Sequence, residues 1–266
     1  MSRAPLELSN IHHVFDETNW KLVISNLQIQ SGQILGIIGP NGSGKSTLLR
    51  IGSGVLLPLQ GSVDLGERNI QKISRSNIAK ILGYLPQELE SLYDLSVEEV
   101  VSMGRYPHIS SFGSWTAADR DAVARSLHFT EMQEKRNSPL SRLSGGEKKR
   151  TFLASVLAQE PKVMLLDEPT ASLDIHHQIQ FLSLLKILAA DGMAIAVATH
   201  DLNLASLFSD RLLVLDQGKI AAVGDPKQVL SAELIHAVYG ENILLGQHPE
   251  VDRPTLIPRI IKDKKQ

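Results

Sequence analysis

A glycine-rich loop near the start of the chain has the composition of a phosphate-binding site. The loop comprises Gly39, Pro40, Asn41, Gly42, Ser43, Gly44, Lys45, Ser46 and Thr47, so a glycine and four further residues precede Gly-Lys-Ser. Glycines let the backbone turn tightly and direct its N–H groups inward, and a helix start and a lysine add positive charge. We therefore expect the loop to bind a triphosphate, with Ser46 on Mg²⁺ and Thr47 near a more internal phosphate.

A pair of carboxylates follows an apolar run in the second half of the chain. Residues 163–166 are Val-Met-Leu-Leu, and Asp167 and Glu168 come directly after them. A short apolar run of this kind predicts a buried parallel strand, and the ligands of open α/β sheets collect at the carboxyl ends of such strands. One of these acids is suited to hold Mg²⁺ and its neighbour to orient a water molecule.

A second candidate phosphate surface lies at the start of a later helix. Ser144 and Glu147 have the three-residue spacing of a capping box, and Gly145 and Gly146 lie between them. Glycines weaken the first turn of a helix, but they let an anion approach its N–H groups closely. The pattern predicts a helix start that faces phosphate; a well-capped helix without a ligand is the alternative.

The elements that must position these residues alternate between strands and helices. Residues 34–38 predict the strand before the glycine-rich loop, and residues 46–51 predict the helix after it. The N-terminal segment has near-alternating apolar residues on both sides of a polar turn at residues 16–19, which predicts an antiparallel sheet edge. Further strands are expected at residues 62–65, 81–86, 193–198 and 212–215.

Residues 88–159 differ in character from the rest of the chain. They form helical segments separated by glycines and prolines, and they contain no convincing buried strand. We expect an inserted helical lobe here, within one domain that spans residues 1–266. Residues 1–87 and 160–240 would form the nucleotide-binding α/β core with its β subdomain, and residues 241–266 a C-terminal extension.

Composition restricts the classes of function. The chain has 266 residues, of which 42% are hydrophobic, so a folded core is expected. A net charge of −2 and a pI near 6.5 show no basic excess, so nucleic acid is not expected as a partner. No apolar run approaches the length of a membrane span, no signal-peptide core follows the first residues, and cysteine is absent. These features favour a cytosolic protein.

Together, in order as well as content, these motifs resemble the ATP-binding cassette (ABC) ATPases over nearly the whole chain. The resemblance implies an α/β fold: a P-loop NTPase core with a mainly parallel sheet, an N-terminal antiparallel β subdomain and an inserted helical subdomain. The matching motifs are Walker A at 39–47, the Q-loop glutamine at Gln87, the signature Leu-Ser-Gly-Gly-Glu at 143–147, Walker B at Asp167 and Glu168, the D-loop aspartate at Asp174 and the switch histidine at His200.

The resemblance also has open points and departures. Phe15 stands where the family places an aromatic that stacks on adenine, although Trp20 is close enough in sequence to be the alternative. Residues 171–174 read Ala-Ser-Leu-Asp where the family more often has Ser-Ala-Leu-Asp. Lys148 and Lys149 follow the signature where glutamines are common. None of these departures removes a catalytic group.

The resemblance implies a head-to-tail homodimer that shares its ATP sites. ATP would lie between Walker A of one subunit and Ser144, Gly145, Gly146 and Asp174 of the other. Such an arrangement has a chemical reason, because phosphoryl transfer needs charge stabilisation on several sides of the γ-phosphate. The implied roles are Lys45 on the β and γ phosphates, Ser46, Gln87 and Asp167 around Mg²⁺, Glu168 as general base on the attacking water, and His200 on the γ-phosphate.

The resemblance further implies the ATPase subunit of an importer, peripheral at the cytoplasmic face of the inner (cell) membrane. A permease dimer would cross the membrane, and an extracytoplasmic substrate-binding protein would act indirectly. Alternatives are the ATPase of another importer, for a metal ion or other small solute, or a soluble non-transport ABC ATPase, which the single cassette without a heptad run disfavours. A GTPase would need an Asn-Lys-x-Asp motif, which the chain lacks.

Three segments resemble ATPases that import iron-siderophore complexes, haem and cobalamin. They are residues 102–108, 199–205 and 224–240. The first segment is expected to contact the permease through Arg105 and Tyr106, the alternative being a helix end that stabilises the helical lobe. The resemblance does not single out one cargo among these three.

Overall fold

A ten-stranded sheet runs through the part of the chain that the computed structural model describes, residues 5–15, 20–87, 93–109, 113–171 and 173–260. Its strand order is β5-β4-β1-β2-β10-β9-β3-β8-β7-β6. The strands are β1 Leu6–Phe15, β2 Trp20–Ile29, β3 Ile34–Ile38, β4 Gln60–Leu65, β5 Arg68–Asn69, β6 Leu82–Leu85, β7 Val163–Asp167, β8 Ala194–Ala198, β9 Arg211–Asp216 and β10 Lys219–Gly224.

Some helices pack against this sheet, and others form a separate lobe. Their bounds are α1 Lys45–Gly52, α2 Arg75–Ala79, α3 Val97–Met103, α4 Ala117–Phe129, α5 Gly145–Ala158, α6 Ile175–Ala190, α7 Leu202–Phe208, α8 Pro226–Val229 and α9 Ala232–Tyr239. Short 3₁₀ turns occur at Ile70–Lys72, Tyr106–His108, Gln133–Lys135 and Leu140–Arg142. No helix in the described ranges is both long and apolar enough to cross a membrane.

One half of the sheet is parallel, and its three central strands are fully buried. β6, β7, β8, β3 and β9 are parallel neighbours, and every residue of β3, β7 and β8 is buried. Their continuous apolar sequences suit strands that are covered on both faces. Because parallel strands end at the same edge, the segments that follow β3, β7 and β8 lie side by side. This confirms the expected mainly parallel α/β core.

The other half of the sheet is antiparallel. β1 pairs with β2 and β4, so the expected N-terminal antiparallel edge is confirmed, although residues 16–19 lie outside the described residues. β10 was not expected from the sequence. It pairs antiparallel with β9 and parallel with β2, so it joins the two halves.

The helical lobe has its own apolar core. α3, α4 and α5 pack through buried side chains that include Val97, Val101, Val123, Leu127 and Ala154. The described part of residues 88–159 contains these helices and no strand beyond an isolated bridge. The division into core, lobe and C-terminal extension remains a prediction in its boundaries.

Arg105 stabilises the inside of this lobe. Its side chain is 5% exposed, and it donates from Nε to Asp119 Oδ1 at 2.9 Å and from Nη1 to the Ala158 carbonyl at 2.6 Å. The neighbouring Gly104 allows α3 to approach α5 closely, since a Cβ there would lie 2.1 Å from the Ser155 carbonyl oxygen. The expectation that Arg105 belongs to a contact surface is therefore wrong, whereas Tyr106 is exposed.

A C-terminal hairpin packs beside the main sheet. Its strands are β11 Ile243–Gln247 and β12 Pro254–Pro258. The Asn203 side chain of α7 donates to the Leu256 carbonyl at 3.1 Å and accepts from the Leu256 N–H at 2.8 Å, and Ser206 Oγ donates to the Pro254 carbonyl. The hairpin is thus fixed to the helix that follows His200.

Candidate active site

The glycine-rich loop joins β3 to α1 in a conformation that requires its glycines. Gly39 has φ +154° and Gly44 has φ +107°, values that favour glycine. A Cβ at Gly39 would lie 2.2 Å from the Leu215 carbonyl oxygen, and one at Gly44 would lie 2.7 Å from the Trp20 ring. Among the residues that the structure describes, no side chain caps the start of α1, so its first N–H groups remain available to a ligand.

The lysine of this loop is folded back on its own backbone. Lys45 is buried, and its Nζ donates to the Gly39 carbonyl at 2.8 Å and to the Pro40 carbonyl at 3.2 Å. Burial lowers the pKa of Lys45, and the Glu168 and Asp167 carboxylates oppose this by raising it. The cation therefore lies between the loop and the two acids at the end of β7.

Asp167 has the features of a ligand for a hard cation. It is 1% exposed, and among the described residues its Oδ1 has no hydrogen-bond partner. Burial raises the pKa of Asp167, while a hydrogen bond from Ser46 opposes the rise. A buried acceptor oxygen without a donor, beside a serine hydroxyl, fits an oxygen-preferring ion such as Mg²⁺.

Two residues from separate motifs converge on one carboxylate oxygen of Glu168. Gln87 Nε2 donates to Glu168 Oε2 at 3.0 Å, and His200 Nδ1 lies 3.5 Å from the same oxygen. Glu168 N–H donates to the Ala198 carbonyl at the end of β8, which sets the carboxylate at this edge of the sheet. Glu168 itself has φ +47°, in the left-handed region that non-glycine residues rarely adopt.

Lys149 on α5 is a site residue that the sequence interpretation did not assign. Its Nζ donates to the Glu168 carbonyl at 3.0 Å and to the Gln87 carbonyl at 3.3 Å. Burial lowers the pKa of Lys149, and Glu168 and Asp167 oppose this. The one signal in the sequence was a lysine at a position where glutamine is common.

These residues surround an open cleft of about 970 Å³. Trp20 forms one wall and packs against Gly44, at a position where the backbone of Phe15 pairs with it across the hairpin. The side chain of Phe15 lies outside the described residues, so its expected stacking on adenine stays a prediction. The cleft is lined by Trp20, Asn41, Gly42, Gly44, Lys45, Ser46, Thr47, Gln87, Glu168 and His200.

The signature residues lie elsewhere in the chain and do not line the described part of this cleft. Ser144 and Glu147 form the expected capping box, with Ser144 N–H donating to Glu147 Oε2 at 2.8 Å. Gly145 is exposed, and a Cβ there would meet nothing within 4 Å. Asp174 is also exposed, where it caps α6 by accepting from the His177 N–H at 3.0 Å.

Comparison with known proteins gives the family of this fold and site. The family model for the ABC transporter matches residues 22–171. The chain belongs to the ABC family of ATPases. This cassette therefore binds and hydrolyses ATP.

The relatives of this ABC cassette include import subunits. It is 40% identical over 233 residues to the ferric enterobactin transport ATP-binding protein FepC of Escherichia coli K12, covering 87% of this chain and 86% of that protein. It is 39% identical to the petrobactin import ATP-binding protein FpuC of Bacillus anthracis, covering 90% and 88%. It is 40% identical to the hemin import ATP-binding protein HmuV of Thermobifida fusca, covering 88% and 81%.

Two solved structures show the same fold. One chain of a candidate metal-chelate type ABC transporter, solved in an inward-facing conformation, gives a TM-score of 0.83 at 27% identity, covering 97% of this chain and 98% of that chain. The dimeric bacterial ABC transporter cassette MJ0796 gives a TM-score of 0.72 at 27% identity, covering 83% and 98%.

Proposed function

We propose that this chain hydrolyses ATP to power import of an iron-siderophore, haem or cobalamin-type substrate through a partner membrane permease. The observation that carries the ATPase chemistry is the convergence of Gln87 and His200 on Glu168 Oε2 beside the Walker A loop. The cargo group is supported by the names of the relatives rather than by any residue that touches cargo.

Lys45 and the start of α1 bind the phosphates in this proposal. In the chain alone, Lys45 Nζ donates two hydrogen bonds to loop carbonyls. When ATP enters, Lys45 Nζ donates instead to β- and γ-phosphate oxygens. The uncapped N–H groups of α1 face the same anion. Ser46, Gln87 and Asp167 would hold Mg²⁺, which when bound neutralises charge on the phosphate oxygens.

Glu168 acts as the general base. Its carboxylate stands at the cleft, where Oε2 can take a proton from the water that attacks the γ-phosphate. Gln87 and His200, which contact that oxygen in the chain alone, are placed to contact the water and the γ-phosphate respectively once ATP is bound. His200 then stabilises the charge that develops on the phosphoryl group.

Two copies of the chain complete the sites. The cleft of one chain is open, and Ser144, Gly145 and Asp174 are exposed outside it, with Gly146 half-buried beside them. We propose that a second copy brings these residues onto the γ-phosphate and ribose side of the nucleotide. The dimeric MJ0796 cassette supports a homodimer. Trp20 or Phe15 would contact the adenine ring.

A groove of the helical lobe is the proposed permease contact. Met103 and Tyr106 are exposed there, and Trp115 and Arg120 line the same groove. The cassette would thus be peripheral at the cytoplasmic face of the cell membrane, with a substrate-binding protein acting on the outer side. Another small-solute importer is the alternative function, and a soluble ABC ATPase is a weaker one.

Reconstitution with a partner permease tests the function. Proteoliposomes with internal ATP and the matching binding protein are expected to take up a ferric siderophore, haem or cobalamin, and Glu168→Gln is expected to abolish uptake. Sugars, amino acids and free metal ions serve as comparison substrates. Uptake of only these comparison substrates would contradict the cargo, whereas absence of ATP hydrolysis would contradict the whole proposal.

A further inference from the structure

Lys149 connects three segments of the site that come from different parts of the sequence. It lies on α5, five residues after Ser144, which is about 7 Å along the helix axis. Its ammonium donates to the carbonyls of Glu168 and Gln87. The helix that starts at the signature is therefore bonded directly to the backbone of the proposed base and of the Q-loop glutamine.

A half-buried lysine at this position is costly unless its ammonium group is hydrogen-bonded. Removing an ammonium group from water is unfavourable, and Lys149 makes no ion pair at hydrogen-bond distance with the acids near it among the described residues. Its donors go instead to two backbone carbonyls. Packing alone would be served by a methionine of similar length, so the hydrogen bonds are the feature that needs a reason.

The backbone conformation of Glu168 explains why Lys149 donates to these carbonyls. At φ +47° a glutamate costs about 1–3 kcal/mol relative to an ordinary backbone conformation, and such a conformation persists only where its surroundings hold it. The Glu168 N–H is held by Ala198, and its carbonyl is held by Lys149 and by the Ala171 N–H. The direction of the carboxylate depends on both ends of this residue being fixed.

We propose that Lys149 is a positioning residue of the ATPase, whose ammonium fixes the Glu168 and Gln87 backbones and thereby aligns the Glu168 carboxylate. The inference rests on the proposed role of Glu168 as general base. Lys149 does not touch the reacting atoms. It acts through the two carbonyls, so its loss should affect the chemical step more than nucleotide binding.

Steady-state ATP hydrolysis by Lys149→Met, with Lys148→Met as matched control, tests this role. Lys148 is the neighbouring, exposed lysine of the same helix. We expect Lys149→Met to lower kcat about 10- to 100-fold with KM changed by less than about threefold. Lys149→Arg keeps donors for both carbonyls and should recover most of the loss. Lys148→Met should match the unmodified chain.

A second measurement separates positioning from a general loss of structure. In the Glu168→Gln background the aligned group is already removed, so adding Lys149→Met should lower the residual turnover by less than about twofold. A full additional loss in that background would overturn the proposal, and so would equal kcat for Lys149→Met and Lys148→Met. If the unmodified chain hydrolyses no ATP, the proposed function fails instead, so the two failures are distinguishable.

Discussion

Two helices in this chain begin with glycines, α1 after the Walker A loop and α5 at the signature. They differ in whether the surrounding fold requires glycine there. The Walker A glycines Gly39 and Gly44 have positive φ and would clash with Leu215 and Trp20 if they carried a Cβ. The signature glycines Gly145 and Gly146 begin α5, and neither has a positive φ. Gly145 is exposed, with open space where its Cβ would be.

The difference distinguishes glycines that the fold of the chain requires from a glycine that a bound ligand would require. At Walker A the backbone could not fold as it does with larger residues, so those glycines are explained by the chain itself. At Gly145 of the signature, glycine lowers helix stability by about 1 kcal/mol relative to alanine, and the described structure leaves open space where its Cβ would be. The requirement for Gly145 therefore lies outside the isolated chain, as it would if a phosphate of the partner's nucleotide approached there.

Glu168→Gln should give the largest effect, because it removes the proposed general base, which lies beside the Walker A loop and not at the signature. An amide cannot accept the proton of the attacking water, so we expect kcat to fall about 10²- to 10⁴-fold. ATP affinity, measured by calorimetry, should stay within about threefold. Near-normal turnover in this variant would show that the general base is another residue and that the region beside Walker A does not supply it.

Gly39→Ala should damage both fold and binding. The added Cβ would lie 2.2 Å from a backbone oxygen at a left-handed φ, so we expect a loss of about 2–4 kcal/mol in unfolding free energy. Denaturation by urea and nucleotide binding at low temperature are the measurements. Unchanged stability would contradict the claim that the chain itself requires this glycine.

Gly145→Ala should separate stability from activity. We expect the unfolding free energy to stay equal or rise by up to about 1 kcal/mol, because alanine favours the helix and nothing lies in its way. Turnover of the ATP-dependent dimer should nevertheless fall about tenfold if a nucleotide approaches this turn. Full activity with normal dimerisation would contradict this explanation, since neither the fold nor a ligand would then require glycine at position 145.

Glu147→Gln should give the smallest effect, and it depends on pH. A hydrogen bond from Lys135 and the Ser144 backbone N–H lower the pKa of Glu147 to about 2. A depressed carboxyl pKa stabilises the fold above the unfolded value of about 4.5, and the stabilisation is lost as pH falls towards 2. Because Lys135 is half exposed, we expect only about 1 kcal/mol at pH 7.

Urea denaturation of both proteins between pH 7 and pH 3 measures this difference. The gap between the unmodified chain and Glu147→Gln should narrow as pH falls below about 4.5. A constant gap would mean that the Glu147 charge does not stabilise the signature cap. Gln can still fill the capping box, so the helix start itself should persist.

The sequence was sufficient where local pattern and topology agree. The Walker A loop needed glycines that the printed sequence shows, and the carboxyl ends of β3, β7 and β8 had to meet because the strands are parallel. The closeness of Lys45, Asp167, Glu168 and His200 follows from that rule. Their catalytic roles remain predictions that the variants above would test.

The sequence was insufficient where a residue's environment comes from distant segments. Arg105 is followed by an aromatic and a proline, which suggested a surface, yet its partners Asp119, Ala158 and Glu160 lie 14 to 55 residues away. β10 has the sequence Lys-Ile-Ala-Ala-Val-Gly, in which polar and apolar residues do not alternate, and its pairing with two neighbouring strands makes it a strand. The role proposed for Lys149 likewise depends on hydrogen bonds to two backbone carbonyls, which no sequence pattern reveals.

The placement of the aromatic residues gives the molecule two separate optical reporters. The chain has two tryptophans, and Trp20 forms a wall of the cleft beside the Walker A loop while Trp115 lines the groove of the helical lobe. Indole emission depends on its surroundings, so nucleotide entry and permease docking should change the fluorescence of different rings. Trp115→Phe leaves an emission signal from the cleft alone, and Trp20→Phe leaves one from the lobe, which makes each event visible without an attached dye.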